Sequence, residues 1–243
     1  VRIFTKIWLS LFGQWEWKGT PVMPPELMLL PTWFPINIYA FSSWARAPIV
    51  PMLILLTRQP VEDLVFNIPG FQDEMARVIT GTVDGIRLVG AYFPNGQSPE
   101  SEKFVYKMAW LHALRNWLQQ ELVRFPKLVL MGDFNITFDD RDVWDPVGLA
   151  GTIHCTDQER SQLQQLTDLG LTDAFRLFEQ PAKSYSWWDY RDLAFRRNRG
   201  LRIDHVLVST ALKPIVKACV IDKTPRKNER PSDHTPVVLT LGA

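Results

Sequence analysis

The sequence predicts a layered α/β domain with helices packed outside sheets. Two observations carry this expectation. Short apolar runs alternate with an amphipathic helical pattern over residues 77–136, in the order strand, strand, helix, strand. The chain has 243 residues, 46% of them hydrophobic, enough for one sizeable core. A single domain over 1–243 is expected, with 1–51 atypical.

The elements follow in order. Met52 to Thr57 reads as a strand, and so does Arg77 to Val83. Asp84-Gly85 is a two-residue hairpin turn, returning as Ile86 to Tyr92. Phe93-Pro94-Asn95-Gly96 is a turn. Ser98, Pro99 and Glu100 supply a cap, a first-position proline and a first-turn acid for a helix. Phe104, Met108, Leu111, Leu114, Leu118 and Leu122 recur at three- and four-residue steps, so this helix is amphipathic and ends near Pro126. Leu128 to Met131 runs straight into Gly132-Asp133-Phe134-Asn135, as a strand buried on both faces would. Asp157 can cap a helix through Leu169, stopped by Gly170. Leu171 to Phe178 continues as apolar packing, Arg202 to Val208 reads as a strand, and Val237 to Leu241 is the last.

Residues 1–60 differ in character. They hold no Asp, five of the ten Trp and eight of the eighteen Pro. Proline at 21, 24, 25, 31, 35, 48 and 51 interrupts regular structure. No stretch approaches the ~20 apolar residues of a membrane span. Arg2 and Lys6 before Ile7 to Phe12 carry a faint signal-peptide pattern without a convincing cleavage site. Cys155 and Cys219 lie far apart, so a disulfide framework is not expected and a reducing cytoplasm is the default. The net charge of +1 does not mark a nucleic-acid binder.

Three acidic stretches carry chemistry: Gly132-Asp-Phe-Asn135, Arg202-Ile-Asp204 and Ser232-Asp-His234. Each sets a carboxylate beside a turn at an apolar strand. One such acid is an ordinary turn former. Three, with an Asn and a His, can hold a divalent cation and a phosphate, since hard cations take oxygen ligands. His234 can donate to a phosphate oxygen while a buried Asp holds its ring. Cations gather around these acids: Arg191, Arg196, Arg197, Arg199 and Arg202 near Asp204, and Lys213, Lys217, Lys223, Arg226, Lys227 and Arg230 before Asp233. Such runs can bind a phosphate backbone locally; they can also be plain solvated surface, the expected state of Lys213 and Lys217.

Tyr92-Phe-Pro-Asn-Gly96, Met131-Gly-Asp-Phe-Asn-Ile136, Tyr185-Ser-Trp-Trp-Asp-Tyr-Arg191, Asn198-Arg-Gly-Leu-Arg-Ile-Asp204 and Pro231-Ser-Asp-His-Thr-Pro236 stand in one order. In these five motifs, from about Met52 to Leu241, the chain resembles the AP endonuclease group of exonuclease III type, within the endonuclease/exonuclease/phosphatase family. The resemblance implies a four-layered α/β sandwich of two packed sheets flanked by helices. It implies magnesium- or manganese-dependent cleavage of DNA phosphodiesters 5′ to abasic sites, with trimming of 3′ ends, by a monomer acting on double-stranded DNA. It further implies that Asp133 handles the attacking water or the leaving oxygen, and that Asn135 stabilises charge on the phosphate. His234 would contact the phosphate with Asp204 as its partner, and Tyr92 would place its hydroxyl nearby. Asp133, Asn135, Asp233 and His234 would lie at the metal. Asn95, Trp187, Arg199, Leu201 and Ile203 would face DNA, with Trp187, Leu201 and Ile203 around the extruded sugar. Trp187 and Trp188 can also be read as ordinary core aromatics, Trp188 more readily than Trp187.

Residues 1–51 depart from the family's pattern. The family opens with a strand bearing a catalytic Asn, then one ending in Gln-Glu whose Glu binds the metal. Val1 to Thr5 resembles the first strand; Ile7 or a neighbour stands where the Asn belongs, and Gln14-Trp-Glu16 splits the second motif. A shifted reading frame or a degenerate segment is the expected cause. A catalytically impaired DNA-binding relative is the alternative function. Inositol-phosphate phosphatases and sphingomyelinase-like phosphodiesterases share the Asp-x-Asn and Ser-Asp-His elements, but the Trp-Trp-Asp-Tyr-Arg and Asn-Arg-Gly-Leu-Arg stretches favour DNA.

Overall fold

The computed structural model describes residues 61–242. The expected strand at 52–57, Ile7, Glu16 and the rest of the atypical segment lie outside the described residues.

Four strands open the order: β1 (Glu62–Phe66), β2 (Val78–Val83), β3 (Ile86–Ala91) and β4 (Leu128–Asp133). Asp84 and Gly85, both at positive φ, turn β2 into β3, as the Asp-Gly pair predicts. Helix α1 (Glu102–Arg124) crosses from β3 to β4, which pair in parallel. Its start differs from expectation. Ser101, not Ser98, is the cap: its hydroxyl accepts from the Phe104 amide and donates to the Gly96 and Ser98 carbonyls. A Thr156–Glu159 capping box starts α2 (Asp157–Asp168), and Gly170 at φ 95 follows it. Then come β5 (Leu171–Asp173), β6 (Asp204–Ser209), β7 (Val216–Ile221) and β8 (Val237–Leu241).

The six-stranded sheet runs β1-β2-β3-β4-β6-β5, and β7 and β8 form a second, two-stranded sheet. Alternation along β4 divides its neighbours. Leu128 and Leu130 join Trp110, Leu111, Leu114 and Leu118 of α1 and Leu163 and Leu166 of α2 in the main core. Val129 joins Val206, Val208 and Cys219 on the other face, with Val237 and Leu239 packed against them. Helices, large sheet and small sheet therefore make three layers among the described residues. Burying a side chain of this size stabilises by about 1.5–3 kcal/mol, so each face of β4 is held by many such contributions.

The helix stripe was legible in part. Trp110 and Trp117 join it, while Lys107 and Glu121 are buried in it although charged. Glu121 is paired with Arg87 at 2.7 Å. Strands β1 and β7 had no expected counterpart.

Candidate functional site

The chain geometry first fixes one pair. β4 and β6 are antiparallel, and Asp133 lies directly opposite Asp204 in the register. One acid ends its strand and the other begins its own, so both fall at one edge of the sheet. Ser186 holds the start of β6: its hydroxyl accepts from the Ile203 and Asp204 amides at 3.1 and 3.0 Å. His234, in the loop before β8, bridges to Trp187 and donates Nδ1–H to Asp204 at 3.0 Å. Its Nε2 then faces Asp133 Oδ2 at 3.9 Å.

The turn after β4 is tightly specified. Gly132 sits at φ 144, where a Cβ would lie 1.9 Å from the Ala91 carbonyl oxygen. Asn135 takes the left-handed conformation, φ 51, which Asn tolerates better than most residues. Its amide is fully engaged. Nδ2 donates to the Phe93 carbonyl at 3.2 Å and to Asp133 Oδ2 at 3.0 Å, and Oδ1 accepts from Asn95 at 3.0 Å. The Asn135 backbone N–H meets Asp133 Oδ1 at 2.9 Å. Asp133 is thus aimed from both of its oxygens.

Electrostatics follow from this crowding. Burial and the facing Asp204 push the Asp133 carboxyl up to about 7. Burial alone would lower the His234 imidazole, but Asp204, with help from Asp133 and Asp233, outweighs it and holds the ring up at about 9. Burial and Asp133 raise the Tyr92 phenol, which stays protonated. Asp133, Asp204 and His234 offer ligand atoms within 4.8 Å of one another. Two facing carboxylates, one of them reluctant to ionise, are a donor set that a divalent cation would relieve, so the residues fit such an ion.

The remaining expected residues spread around this centre. Tyr92 is half exposed, with the Arg77 guanidinium 5.3 Å from its ring centroid. Asp233 accepts from the Trp187 indole at 3.0 Å. It is not among the residues whose ligand atoms converge, whereas Asp204 is. Trp187, Leu201 and Arg199 line a cleft of about 510 Å³ with Trp144 and His154. Leu201 and Ile203 are themselves buried, beside Val143 and Cys155. Arg199 stacks over Trp144 at 4.9 Å. Trp188 is wholly buried, as a core aromatic.

Two of the cations expected at the surface are not there. Arg202 is 1% exposed and is locked to Asp142 at 2.7 Å and Asp173 at 2.8 Å. Arg226 is buried among Trp188, Tyr190 and Phe195 and donates to the Ser232 carbonyl. A run of cations in sequence does not reveal which of them a buried acid or an aromatic cage claims.

Sequence reasoning also missed Lys107, His154 and Glu159, which support the Asn135 turn from below. Position 107 sits three residues after Phe104 and four before Leu111. A lysine on that apolar stripe was the available signal.

Comparison with known proteins divides the chain. Residues 1–80 match the squalene-hopene cyclase N-terminal domain family. The squalene–hopene cyclase of Alicyclobacillus acidocaldarius is 50% identical over 60 residues, 25% of this chain and 10% of that protein. A shifted reading frame gives no such agreement, and the foreign composition of this part goes with that similarity. The remainder is similar to exodeoxyribonuclease III of Haemophilus influenzae, 33% identical over 199 residues, 75% of this chain and 73% of the relative. Among solved structures it is similar to a Neisseria 3′ phosphatase, NExo, bound to product DNA hairpin: 42% identity, TM-score 0.75, over 77% of this chain and 73% of that one. It is also similar to an AP endonuclease from Archaeoglobus fulgidus: 30% identity, TM-score 0.72, over 76% of this chain and 72% of that one.

Proposed function

Because the chain belongs to the exodeoxyribonuclease III and AP endonuclease family, we propose that it is a DNA repair nuclease whose metal-dependent site is built on Asp133, Asp204 and His234. The convergence of these three side chains at the shared end of β4 and β6 carries the reading. The reaction is hydrolysis of a phosphodiester 5′ to an abasic site and of 3′-terminal groups. The similarity to a 3′ phosphatase supports the second of these.

A bound magnesium or manganese ion would neutralise phosphate charge and acidify a coordinated water. Asp133, Asp204 and, from its place beside Trp187, Asp233 are the carboxylates that would hold it. His234, protonated at neutral pH, points Nε2–H toward a phosphate oxygen while Asp204 fixes the ring. Asp133, aimed by Asn135, can exchange a proton with the attacking water or the leaving oxygen. Asn135 keeps Asp133 in place, and it can serve the phosphate only by giving up its amide bond to Asp133 or to the Phe93 carbonyl. Tyr92, kept protonated, donates to the departing oxygen. Asn95, Trp187, Arg199, Leu201 and Ile203 border the path of the DNA. A base-free sugar is cheaper to extrude than a nucleotide, which gives selectivity without base contacts. No helix among the described residues is long and apolar enough to cross a membrane; a cytoplasmic monomer is the arrangement we favour.

The second reading is a DNA-binding relative with impaired catalysis. The cyclase match over 1–80 favours it, because the family's first two strands, with their Asn and metal-binding Glu, would fall there. One experiment separates the readings: incubation with a duplex carrying a single abasic-site analogue, and with a 3′-phosphate end, in magnesium or in chelator. Metal-dependent cleavage lost in Asp133→Asn supports the nuclease. Binding without cleavage at any metal concentration supports the impaired relative. Cleavage indifferent to chelator would sink both.

A further inference from the structure

Lys107 is completely buried, yet its ammonium spends all three hydrogens in one place. It donates to Glu159 Oε1 at 2.5 Å, to the Asn135 carbonyl at 2.8 Å and to the Asn95 carbonyl at 3.1 Å. The two residues whose carbonyls it grips are the two whose side chains bond each other, Asn95 Nδ2 to Asn135 Oδ1. A second donor reaches the same Asn135 carbonyl: His154 Nδ1, at 2.7 Å. The His154 backbone N–H in turn meets Glu159 Oε1 at 3.2 Å, and the other Glu159 oxygen closes the α2 capping box. Lys107, Glu159, His154 and Asn135 therefore form a closed ring of polar contacts beneath the Asp133 turn.

We infer that Lys107 is a positioning residue: it fixes the Asn95 loop and the Asn135 turn relative to each other, so that Asn135 can aim Asp133. Three features support this over a purely structural ion pair. A buried pair needs only its partner, but Lys107 directs two of its three bonds to backbone carbonyls of the site loops. Asn135 sits in the left-handed region, where its carbonyl points into the protein and has to be satisfied there. Finally, Lys107 comes from α1, the most heavily anchored helix in the main core, so the grip is rigid.

The catalytic part of this inference rests on the nuclease reading, so the test has an arm that needs no activity. The variants are Glu159→Gln, which keeps the capping box and the lysine's carbonyl bonds, and Lys107→Met/Glu159→Gln, which leaves no unpaired buried charge. Hydrogen exchange is followed over segments 92–97 and 133–138. In the double variant both segments should exchange faster by about tenfold, with α1 and β3 unchanged. Where the wild type cleaves, kcat should fall about a hundredfold with KM nearly constant, as expected for misplacement by an ångström or so. Glu159→Gln, which strips the buried ammonium of its anion but leaves its two carbonyl bonds, should unfold at lower urea yet exchange more slowly at both segments than the double variant. Wild-type exchange at both segments in the double variant would overturn the inference. So would faster exchange spread evenly through α1, β3 and β4, which would make the pair a support of the fold alone. A wild type that never cleaves would remove the nuclease reading and leave the exchange result to decide the placement of the turn.

Discussion

At the residue scale, the site is a problem of too many charges in too little water. Asp133 has a carboxyl at about 7 in the fold against 3.8 when free. The folded state therefore favours its protonated form, and that stability is present below about pH 4 and lost as pH rises toward 7. Asp133→Asn should cleave slower by orders of magnitude yet unfold at higher urea at pH 7, by about 1 kcal/mol; an unchanged rate would remove Asp133 from the chemistry. His205 shows the opposite sign. It is fully buried against Phe134 and Phe138, donating to the Ile136 carbonyl, and burial drives its ring down to about 3 from 6.5. The unfolded chain binds the extra proton in that window, so stability is complete above about pH 6.5 and falls as the pH drops toward 3. Asp133 acts in the opposite sense over the same window, so the His205 effect is read as a difference: from pH 7 to pH 5 the parent should lose about 2 kcal/mol relative to His205→Gln in urea midpoints. A loss identical in both proteins would exclude His205 as its source.

At the element scale, strand ends are held by charges that the sequence presents as surface. Arg202 ties the start of β6 to β5 through Asp173 and to the 139–143 turn through Asp142. Arg202→Leu leaves Asp173 without its cation and Asp142 with Arg176 alone, and should lower stability by about 3 kcal/mol, read as a shift in the denaturant midpoint with Arg199→Leu as the exposed control. If the two variants melt alike, the pair has no such role. Ser101→Ala removes the cap of α1 and should destabilise by about 1 kcal/mol, whereas Ser98→Ala should do little. Five strands, the hairpin, both helices and the three acidic stretches were legible because period and turn chemistry are local. What was not legible depended on partners far along the chain. The cap moved from Ser98 to Ser101 because Gly96 offers its carbonyl to the latter. Arg202 left the surface because Asp142 lies opposite it. β7 escaped notice because Ala218 to Ile221 is an unbroken apolar run with no polar residue to mark its outward face.

At the scale of the whole molecule, residues 1–80 are similar to one family and the greater part of the chain belongs to another, and the site lies in the greater part. Exposed cations such as Arg196 and Arg197, rather than Arg202 or Arg226, are left for a phosphate backbone. Binding to an uncleaved duplex should weaken steadily between 50 and 200 mM salt, by about tenfold or more for two or three phosphate contacts. Arg202→Leu, where it folds, should keep the same salt slope; a slope of zero for the parent would deny it any backbone-tracking groove. Everything converges on β4, with the helices on one face, the small sheet on the other and Asp133 at its tip. The close approach of Gly132 to Ala91 then bears on how a mutational scan of this protein should be read. A methyl group at 132 has nowhere to go, so Gly132→Ala would score as inactive beside Asp133 without touching a proton or a phosphate. A ranking of positions by lost activity would count that glycine as chemistry, and only a parallel measure of folded protein would return it to the scaffold.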